Sequence, residues 1–463
     1  MKRTLSVFMF VLLIVSTLSL AIRIQPVRAE PRTWTVKGDG GADFATIGEA
    51  IFAAKSGDTI FVYNGTYYEH PLIYSKGNLT LVGENKYGTI IDGSGLGSII
   101  KISYANSETI CNFTIRNGGL ERLDCAVSLG PADHCDISNN IIANTSFGVL
   151  DGWDSCDGNR IVGNQISNCT NGIYFNSPYN VQVVGNTISN MVDINGECIY
   201  GIHFESPEGS NNTIIGNTVI GYCGYGIAVR YADRNLITGN VVTDSFYGIE
   251  LSLGSCNNNV TGNILIGNGV GIRVVGDNNS ISKNEFSNSV PVDSYISDIG
   301  IWIESSLENT ICDNEVTDNG CGLLLVSSNN TKVYHNNFVD NGAQAFVSDS
   351  FGTMWDNGYP SGGNFWSDYL GVDANDDAIG DTPYVIDSSN VDNYPFISYG
   401  CTHRCDINGD GKVDIADVAA VGRAFGSYPD HEKWDPLCDL NGDSRVDVRD
   451  VALVCRKFGW HKP

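Results

Sequence analysis

Residues 213–251 read TIIGNTVIGYCGYGIAVRYADRNLITGNVVTDSFYGIEL, and they show the two features that repeat through the middle of the chain. One is an asparagine that returns at intervals of 21 to 31 residues, and the other is a glycine followed by an apolar residue. A repeat of this length predicts a stacked array in which each unit buries its apolar face against its neighbours. The asparagines are Asn140, Asn164, Asn186, Asn217, Asn240, Asn263, Asn284, Asn314 and Asn336, and the glycines are Gly148, Gly172, Gly201, Gly226, Gly248, Gly271, Gly300 and Gly322.

Each repeat consists of short runs rich in Ile and Val that are separated by Gly, Asn and Ser. Such runs predict strands rather than helices. Three strands of roughly 3.3 Å per residue, with their turns, fill about one coil of a parallel β-helix. We therefore expect a mainly β solenoid, with the asparagine amides hydrogen-bonded from coil to coil at one inward corner. We also expect asparagine there because it tolerates the left-handed conformation that such corners need.

The formal net charge is −26. This charge argues against nucleic acid and anionic membrane surfaces as partners. It also indicates that bound cations neutralise part of the carboxylates. An acidic polysaccharide would be repelled unless a metal ion bridged it to the protein.

Residues 1–29 have the pattern of a secretion signal: Lys2 and Arg3, an apolar run, and Val27-Arg28-Ala29 before Glu30. The chain is thus expected to be secreted or held at the cell surface, with membrane contact only if the signal stays uncleaved. All 14 cysteines follow this segment, and an even number in an exported chain favours disulfides. The spacing suggests that Cys111 pairs with Cys135 on the next coil.

Residues 34–93 do not follow the asparagine repeat and contain a predicted amphipathic helix over Phe44–Ala54. Here the chain resembles the first segment of pectate-lyase-like and NosD-like right-handed β-helix proteins, in which a helix covers the open end of the solenoid. The resemblance extends to about residue 396. It implies a single-stranded, right-handed parallel β-helix, but it does not imply one activity, because the superfamily contains both enzymes and non-enzymatic surface proteins.

The last stretch of the chain that shows this resemblance contains an acidic loop. Asp373, Asn375, Asp377 and Asp381 are oxygen donors at positions 1, 3, 5 and 9, which suits Ca²⁺. Position 12 is Tyr384, so such a site would differ from an EF-hand. A solvated acidic loop without a metal is the alternative interpretation.

A second repeat begins after Cys401. DINGDGKVDIADVAAVGRAFG (406–426) matches DLNGDSRVDVRDVALVCRKFG (439–459) at 13 of 21 positions. Oxygen donors stand at loop positions 1, 3, 5, 7, 9 and 12, and a helix is predicted after each loop, over Val418–Phe425 and Val451–Phe458. The expected calcium ligands are Asp406, Asn408, Asp410, Lys412, Asp414 and Asp417 in the first copy, and Asp439, Asn441, Asp443, Arg445, Asp447 and Asp450 in the second.

These paired loop-helix motifs resemble a type I dockerin. The resemblance implies two Ca²⁺ ions and a cohesin domain as partner. In the family, loop positions 10 and 11 help to choose the partner. Here they are Ile415-Ala416 and Val448-Arg449, which differ, so binding in two equivalent orientations is not implied. The matching positions of Cys405 and Cys438, and the pair Cys401 and Cys455, suggest disulfides within this small module.

Successive side chains of a strand point to opposite faces. Every second residue of the strand at each Gly-apolar pair should therefore face outward, and these residues should form a stripe along the solenoid. Two long intervals place extra loops near 191–198 and 289–297, which we expect to wall a groove about four coils wide over this stripe. Aromatic rings, carboxylates and arginines together suit a carbohydrate site. As candidate catalytic residues we take Glu205, Arg230, Glu250 and Arg273, and as substrate-binding residues Tyr174, His203, Trp302 and Glu304. The alternative is that Glu205–Arg230 and Glu250–Arg273 are exposed ion pairs.

Three interpretations of function stay open. The first is a β-helix protein that binds a polysaccharide, and as an enzyme would be a lyase or glycoside hydrolase, docked onto a cohesin-bearing scaffold. The second is a non-catalytic surface or adhesion protein with the β-helix as a rigid spacer. A metal-handling role is weaker, because the four Met and seven His are dispersed. The expected domains are the signal (1–29), the N-terminal cap with first coils (30–100), the repeats (101–345), the C-terminal cap (346–400) and the dockerin (401–463).

Overall fold

The structure of the protein is a computed structural model. It describes residues 30–151, 156–192, 199–205, 210–290, 298–359, 361–375, 377–398, 405, 407–408, 412–429, 431–440, 445–456 and 458–459. The predicted signal therefore lies outside the described residues, as do residues 193–198 and 291–297, which are most of the two loops expected to wall the groove. No helix among the described residues is long and apolar enough to cross a membrane.

Strands dominate the described part of the chain. Its helices are α1 (Ile47–Ala53), α2 (Ile415–Ala424) and α3 (Val448–Arg456), with a short 3₁₀ turn at Pro436–Cys438. Strands β1 to β19 are, in order, Thr33–Val36, Thr59–Val62, Gly65–Tyr67, Leu72–Tyr74, Thr80–Gly83, Thr89–Asp92, Ile100–Ser103, Thr109–Cys111, Thr114–Arg116, Cys125–Leu129, Asp136–Ser138, Ile141–Asp151, Cys156–Asp157, Arg160–Val162, Gln165–Phe175, Pro178–Tyr179, Gln182–Val184, Thr187–Ser189 and Tyr200–Glu205. Strands β20 to β38 are Thr213–Ile215, Thr218–Arg230, Leu236–Thr238, Val241–Ser252, Asn259–Thr261, Ile264–Ile266, Val270–Val274, Ser280–Ser282, Glu285–Ser287, Ile299–Glu304, Thr310–Cys312, Glu315–Thr317, Cys321–Val326, Lys332–Tyr334, Asn337–Val339, Ala343–Ser348, Phe365–Trp366, Tyr384–Asp387 and Asn390–Asp392.

The strands form a parallel β-solenoid with three faces, as the repeat predicts. The first face is a 13-stranded sheet that runs from β1 to β33. The second face is the ribbon β3-β6-β9-β12-β15-β18-β21-β23-β25-β28-β31-β34-β36, and the third face is β4-β7-β10-β12-β15-β19-β21-β23-β26-β29-β32-β35. The long strands β12, β15, β21 and β23 bend round the corner between the second and third faces and belong to both.

The inside-outside alternation of the third face is confirmed. Ile202, Ile249 and Ile301 are fully buried in the main core. The outward-facing Tyr174 and Trp302 belong instead to two separate clusters outside that core. The side chains of the third face therefore form an outer layer over the sheet.

The asparagine ladder is also confirmed. The amide of Asn164 accepts the backbone N–H of Asn140 at 2.9 Å and its side-chain N–H at 3.1 Å, and in turn donates to Asn186 at 3.0 Å. The same bonds continue coil by coil to Asn364, whose backbone N–H donates to the carboxylate of Asp392 at 2.7 Å. All ladder amides are buried, so each bond satisfies polar groups that water cannot reach.

The prediction that the ladder asparagines themselves adopt the left-handed conformation is wrong. The left-handed residue is the one before each ladder asparagine from Asn140 to Asn336, for example Gly163 at φ 64° and Gly239 at φ 64°. The corner therefore turns at the preceding residue, where glycine has no steric penalty. This leaves the asparagine with the orientation that its bidentate bonds require.

Helix α1 covers the N-terminal end of the solenoid, as expected, but it begins at Ile47 rather than Phe44. The hydroxyl of Thr46 accepts the backbone N–H of Glu49 and so caps the helix. Ile47, Ala50 and Ile51 are buried against the first coils. At the other end, the antiparallel hairpin of β37 and β38 follows the last coils.

The C-terminal module contains α2, α3 and its own small core. Both helices begin three residues before their predicted starts. Asp414 forms a capping box with Asp417 at the start of α2, which places Ile415 in the first turn. The module is internally repeated: Gly426 N–H donates to Val446 O, and Gly459 N–H donates to Val413 O. Its buried residues include Val413, Val421, Cys438, Val446 and Val454.

The suggested disulfides do not form among the described residues. Cys111 and Cys135 are both free. The register pairs Cys111 with Ser138, 27 residues on, so that Cys135 lies three residues away and points into the core. Cys438 and Cys455 are also free thiols, which excludes the Cys405–Cys438 and Cys401–Cys455 bonds, and Cys401 itself lies outside the described residues. Burial raises the pKa of Cys438 to about 11, which suits an unreactive core thiol.

Candidate functional site

A cavity of about 220 Å³ opens on the outer layer of the third face, over β12, β15 and β19. Phe147, Tyr174, Tyr200 and His203 supply rings, and Asp151 and Glu205 supply carboxylates. Asn171 and Asn176 add amides, and Arg122, Leu123 and Leu150 complete the lining. Thus three predicted site residues, Tyr174, His203 and Glu205, lie together at this cavity.

Tyr174 and Glu205 form a hydrogen-bonded pair across adjacent coils. The Tyr174 hydroxyl donates to Glu205 Oε2 at 2.8 Å. Burial, reinforced by the neighbouring carboxylate, raises the pKa of Tyr174 well above its usual range. Tyr174 therefore stays a donor. The Glu205 side chain is 35% exposed, so its carboxylate remains accessible to a ligand.

His203 is buried beside this pair and is 1% exposed. Among the described residues, neither of its ring nitrogens has a hydrogen-bond partner, although Nε2 lies 3.7 Å from Glu205 Oε2. Burial, with the nearby Arg230 charge, lowers the pKa of His203 to about 3. The imidazole is therefore neutral at ordinary pH, and one of its nitrogens is an acceptor.

Asp151 is a cavity carboxylate that the outward-stripe argument missed. It is 2% exposed, and its Oδ2 accepts the backbone N–H of Asn176 at 3.2 Å. Its Oδ1 accepts the thiol of Cys156 at 2.8 Å. Asp151 stands at the end of the long strand β12, and no short motif in the sequence marks such a position.

The remaining predicted charges form a separate network, the Arg-Glu ladder: Arg230, Glu250, Arg273 and Glu304. The two oxygens of Glu250 accept from both arginines, at 2.8 Å from Arg230 and 2.9 Å from Arg273. Arg273 also donates to Glu304 at 2.8 Å. Glu205 is paired in register with Arg230, but the Arg230 guanidinium donates to Glu250 on the next coil. Glu250 is 2% exposed, so these are not the exposed pairs considered above.

The ladder raises the pKa of both arginines. Burial alone would lower the pKa of Arg230, but the Glu250 carboxylate outweighs it and raises that pKa. For Arg273 the Glu304 carboxylate outweighs burial in the same way. Neither arginine can act as a proton acceptor in this environment.

Three tyrosines missed by the sequence argument stack beside the ladder. Tyr200, Tyr225 and Tyr247 lie on successive coils, with ring centroids 5.0 and 5.2 Å apart. Arg230 lies over Tyr225, 4.7 Å from its centroid. A signal was present in the sequence: each tyrosine directly precedes the glycine of a Gly-Ile pair.

Trp302, a candidate substrate-binding residue, is buried instead of open to a ligand. Its side chain is 7% exposed, and the Arg273 guanidinium lies over its ring at 5.0 Å. Val270, Ile299 and Leu324 of the same outer cluster pack around the rest of the Trp302 side chain. The tryptophan is therefore part of the outer layer, well away from the lining of the cavity.

The acidic loop of the C-terminal cap uses its carboxylates as backbone acceptors. Asp373 accepts the N–H groups of Asp377 and Ala378, and Asp381 accepts that of Ala374. Asn375 donates to Asp377 at 3.0 Å. In the part of the chain that the structure describes, no group of three or more His, Cys, Asp or Glu side chains is placed to hold a metal ion. The calcium site in this loop stays a prediction.

Part of each C-terminal calcium loop can be described. Asp417 and Asp450, at position 12 of each copy, are fully buried. Asp417 accepts the N–H of Asp414 at 2.8 Å, and Asp450 accepts the N–H of Asp447 at 2.7 Å. Two buried carboxylates at equivalent places, in an all-oxygen donor set, fit Ca²⁺. Asn408, Lys412, Asp439 and Arg445 are also described, whereas Asp406, Asp410, Asn441 and Asp443 lie outside the described residues.

Comparison with known proteins now identifies both parts of the chain. The family model described as "Periplasmic copper-binding protein (NosD)" matches residues 53–298 and 210–371. The chain belongs to the NosD family. The model "Dockerin type I domain" matches residues 404–459, so the C-terminal module is a type I dockerin domain. Such a domain binds calcium and supports assembly with a cohesin, which is consistent with an extracellular or cell-surface location.

Curated relatives and solved structures agree with this assignment. The "Probable ABC transporter binding protein NosD" of Stutzerimonas stutzeri is 29% identical over 355 residues, which cover 66% of this chain and 71% of the relative. The protein of the same name from Pseudomonas aeruginosa is 36% identical over 93 residues, 20% of this chain and 21% of the relative. A mannuronic acid specific polysaccharide family 6 lyase from human gut microbiota has a TM-score of 0.53 at 13% identity, covering 72% of this chain and 86% of its own. An alginate lyase in complex with a trisaccharide has a TM-score of 0.51 at 14% identity, covering 66% and 82%. These likenesses show the fold.

The described residues do not fit the copper site that the family description suggests. Copper sites are built from clustered His, Cys and Met ligands. His203 has aromatic and carboxylate neighbours, and His335 bonds to Ser361 at the C-terminal end of the solenoid. The described residues therefore offer no basis for copper chemistry.

Proposed function

We propose that this NosD-family protein is an exported polysaccharide-binding module, attached to a cohesin-bearing partner through its calcium-dependent dockerin. The observation that carries the proposal is the third-face cavity. It combines apolar rings, two carboxylates and two amides on rigid strands, which is the composition of a sugar site.

The size of the cavity supports recognition of a single sugar unit. Pockets for drug-sized ligands measure roughly 300–1,000 Å³. The cavity, at about 220 Å³, has room for a smaller group. A chain end or a side branch of a polysaccharide suits it better than an internal stretch of several units.

The geometry favours binding over cleavage. Hydrolysis of a glycosidic bond needs two carboxyl groups that both reach the sugar. Of the predicted catalytic residues, Glu250 is buried between two arginines, and both arginines are held by carboxylates. Of these four residues Glu205 alone lines the cavity, and it is 35% exposed, whereas Asp151, the second carboxylate of the lining, is 2% exposed.

The second candidate function is a rigid spacer that carries the dockerin. The Arg-Glu ladder favours it, because a network that satisfies its own charges reinforces the solenoid without any ligand. This candidate predicts no glycan binding at the cavity.

The test is a glycan array and a pull-down on insoluble polysaccharides with the full-length protein, followed by chromatography of the soluble products. We expect retention on at least one glycan and no new products. The double variant Tyr174→Ala with Glu205→Gln should weaken retention at least ~tenfold, about 1.4 kcal/mol. Glu304→Gln, which changes a carboxylate of the same face outside the cavity, is the matched control. Retention that survives the double variant would contradict the proposal, and release of sugars would show catalysis.

A further inference from the structure

The last strand of the third face has an open edge. Among the described residues, β35 pairs with β32 on one side and with no strand on the other. The other two faces are continued at this end of the solenoid, because Met354 bridges to Lys332 of β33, and β36 pairs with β34. An open edge presents backbone N–H and C=O groups to which another strand can pair.

Strand β35 lacks the features that usually protect such an edge. It is six residues long, with the sequence AQAFVS, and contains neither a charged residue nor a proline. At the opposite end of the same face, β4 has only three residues and lies between Pro71 and Lys76. Short strands, prolines and lysines hinder edge-to-edge pairing. The third face is thus protected at its first strand and open at its last.

The apolar side chains of β35 are incompletely covered. Ala345 and Val347 continue two columns of side chains that are fully buried in β32, yet they are only partly buried themselves. On the outer side, Phe346 is 57% exposed, whereas Trp302, two coils earlier in the same column, is 7% exposed. A further strand beside β35 would remove apolar surface of all three residues from water, which favours its addition.

The backbone of β35 fits an antiparallel partner. The carbonyl of Ser348 accepts the N–H of Ser327 at 2.9 Å and therefore points back toward the preceding coil. Because these directions alternate along a strand, the N–H and C=O groups of Ala345 and Val347 point to the open side. In an antiparallel pair, two such residues that lie opposite each other exchange both hydrogen bonds.

We propose that β35 pairs with β35 of a second copy of this chain and forms an antiparallel dimer about a two-fold axis. Ala345 exchanges its hydrogen bonds with the partner's Val347, and Phe346 lies opposite the partner's Phe346. Dimers of this symmetry are the commonest homo-oligomers. The inference goes beyond the proposed function and does not depend on it, because β35 contributes nothing to the lining of the cavity.

The charges around β35 allow this contact in a chain of formal net charge −26. Asp340 and Asp349 flank the strand, and no charged residue lies between them. In the proposed register Asp349 lies opposite the partner's Ala343, so these carboxylates do not face each other, as like charges on paired strands would destabilise the dimer. The remaining carboxylates repel over longer distances, where salt screens them. Added salt should therefore strengthen the dimer.

Analytical ultracentrifugation of the full-length protein tests the dimer. We expect the mean mass to rise from one chain toward two as the concentration increases about a hundredfold, as mass action requires. Phe346→Lys sets two like charges opposite each other and should weaken association at least ~tenfold. Phe52→Lys, at an 89% exposed phenylalanine on α1, is the matched control and should associate like the wild type. Circular dichroism verifies that both variants are folded.

A mixture of two charge variants tests the register. Phe346→Lys and Phe346→Glu should each stay largely monomeric alone, because like charges then lie opposite each other. Combined in equal amounts they should form a mixed dimer, because a lysine then lies opposite a glutamate. An extended segment of another protein could add to the same edge, but only two copies of this chain set position 346 against itself.

Three results would overturn the inference. The first is a wild-type protein that stays monomeric at every concentration. The second is association that survives Phe346→Lys or is lost in Phe52→Lys, because another surface would then form the contact. The third is a mixture of the Lys and Glu variants that stays monomeric, which would contradict the pairing of two β35 strands.

Discussion

Glu250 illustrates how the outer layer of the third face is built. Its two oxygens hold guanidinium groups from the coils on either side, and its side chain is almost fully buried. The sequence predicts that Glu250 points outward, and it does. It does not predict the burial, because the tyrosines and arginines that cover Glu250 come from other coils and their side-chain directions are set by packing.

Replacement of Glu250 tests this view of the ladder. Glu250→Gln leaves two partly buried guanidinium groups without their shared carboxylate. Loss of one partner of a buried pair costs roughly 3–5 kcal/mol, and we expect the lower end because the arginines are 18 and 23% exposed. Glu304→Gln, at a 29% exposed carboxylate, should cost about 1 kcal/mol or less. Urea denaturation measures both, and equal losses would contradict the account.

Glu108 is a buried carboxyl group with a different consequence. It is fully buried at the edge of the first face, and its Oε1 has no hydrogen-bond partner in the described part of the chain. Burial raises its pKa from 4.5 to about 8. The folded protein thus retains a proton that the unfolded chain releases, so stability should fall as pH rises from about 4.5 to 8.

Glu108→Gln should remove this pH dependence. Between about pH 4.5 and 8, the free energy of unfolding of the wild type should fall by about 1.4 kcal/mol per pH unit, and the variant should lose this slope. Thermal unfolding at pH 5 and pH 8 measures this effect. We expect the midpoint temperature of the variant to be higher than that of the wild type at pH 8, and the two midpoints to be closer at pH 5. Glu121→Gln, at an exposed position, is the control. An unchanged pH profile for Glu108→Gln would show that the carboxyl is not buried.

At the scale of the coil, asparagine ladders hold successive units together. The sequence predicts the ladder from Asn140 to Asn336 because its period is regular. It does not single out a second ladder through Asn212, Asn235, Asn258, Asn279 and Asn309, in which Asn279 N–H donates to Asn309 at 2.8 Å. Its members lie among other asparagines, so that only the register of the strands shows which ones point inward.

Two adjacent asparagines allow a matched test of this second ladder. Asn258 is buried and accepts both the backbone and side-chain N–H of Asn235 at 2.9 Å, whereas Asn259 is exposed. Asn258→Ala leaves two buried donors unpaired, at a cost of about 2–4 kcal/mol. Asn259→Ala should change stability by no more than about 0.5 kcal/mol. Denaturant midpoints compare the two, and a small effect at Asn258 would contradict the ladder.

The whole molecule joins two parts with different sources of stability. The solenoid has a continuous apolar core and amide ladders, while the dockerin has a small core and buried carboxylates that fit calcium. Both parts could be predicted from repeats in the sequence. The cavity could not, because Asp151, Phe147 and Tyr200 lie on different coils and share no motif.

Calcium removal should therefore separate the two parts. We expect a chelator to lower the unfolding temperature of the dockerin and to abolish cohesin binding, because the buried carboxylates then repel without a cation. The transition of the solenoid and any glycan binding should stay unchanged. Scanning calorimetry with and without chelator measures this, and a joint shift of both transitions would contradict it.

At the centre of the proposed function, the third-face cavity is the place where this protein binds its glycan. Hydrogen–deuterium exchange of the full-length protein, with and without a glycan retained in the pull-down, tests it most directly. We expect new protection in β12, β15 and β19, around Phe147, Tyr174 and Glu205, with none in the first face or the dockerin. Protection confined to the first face or the dockerin would contradict it.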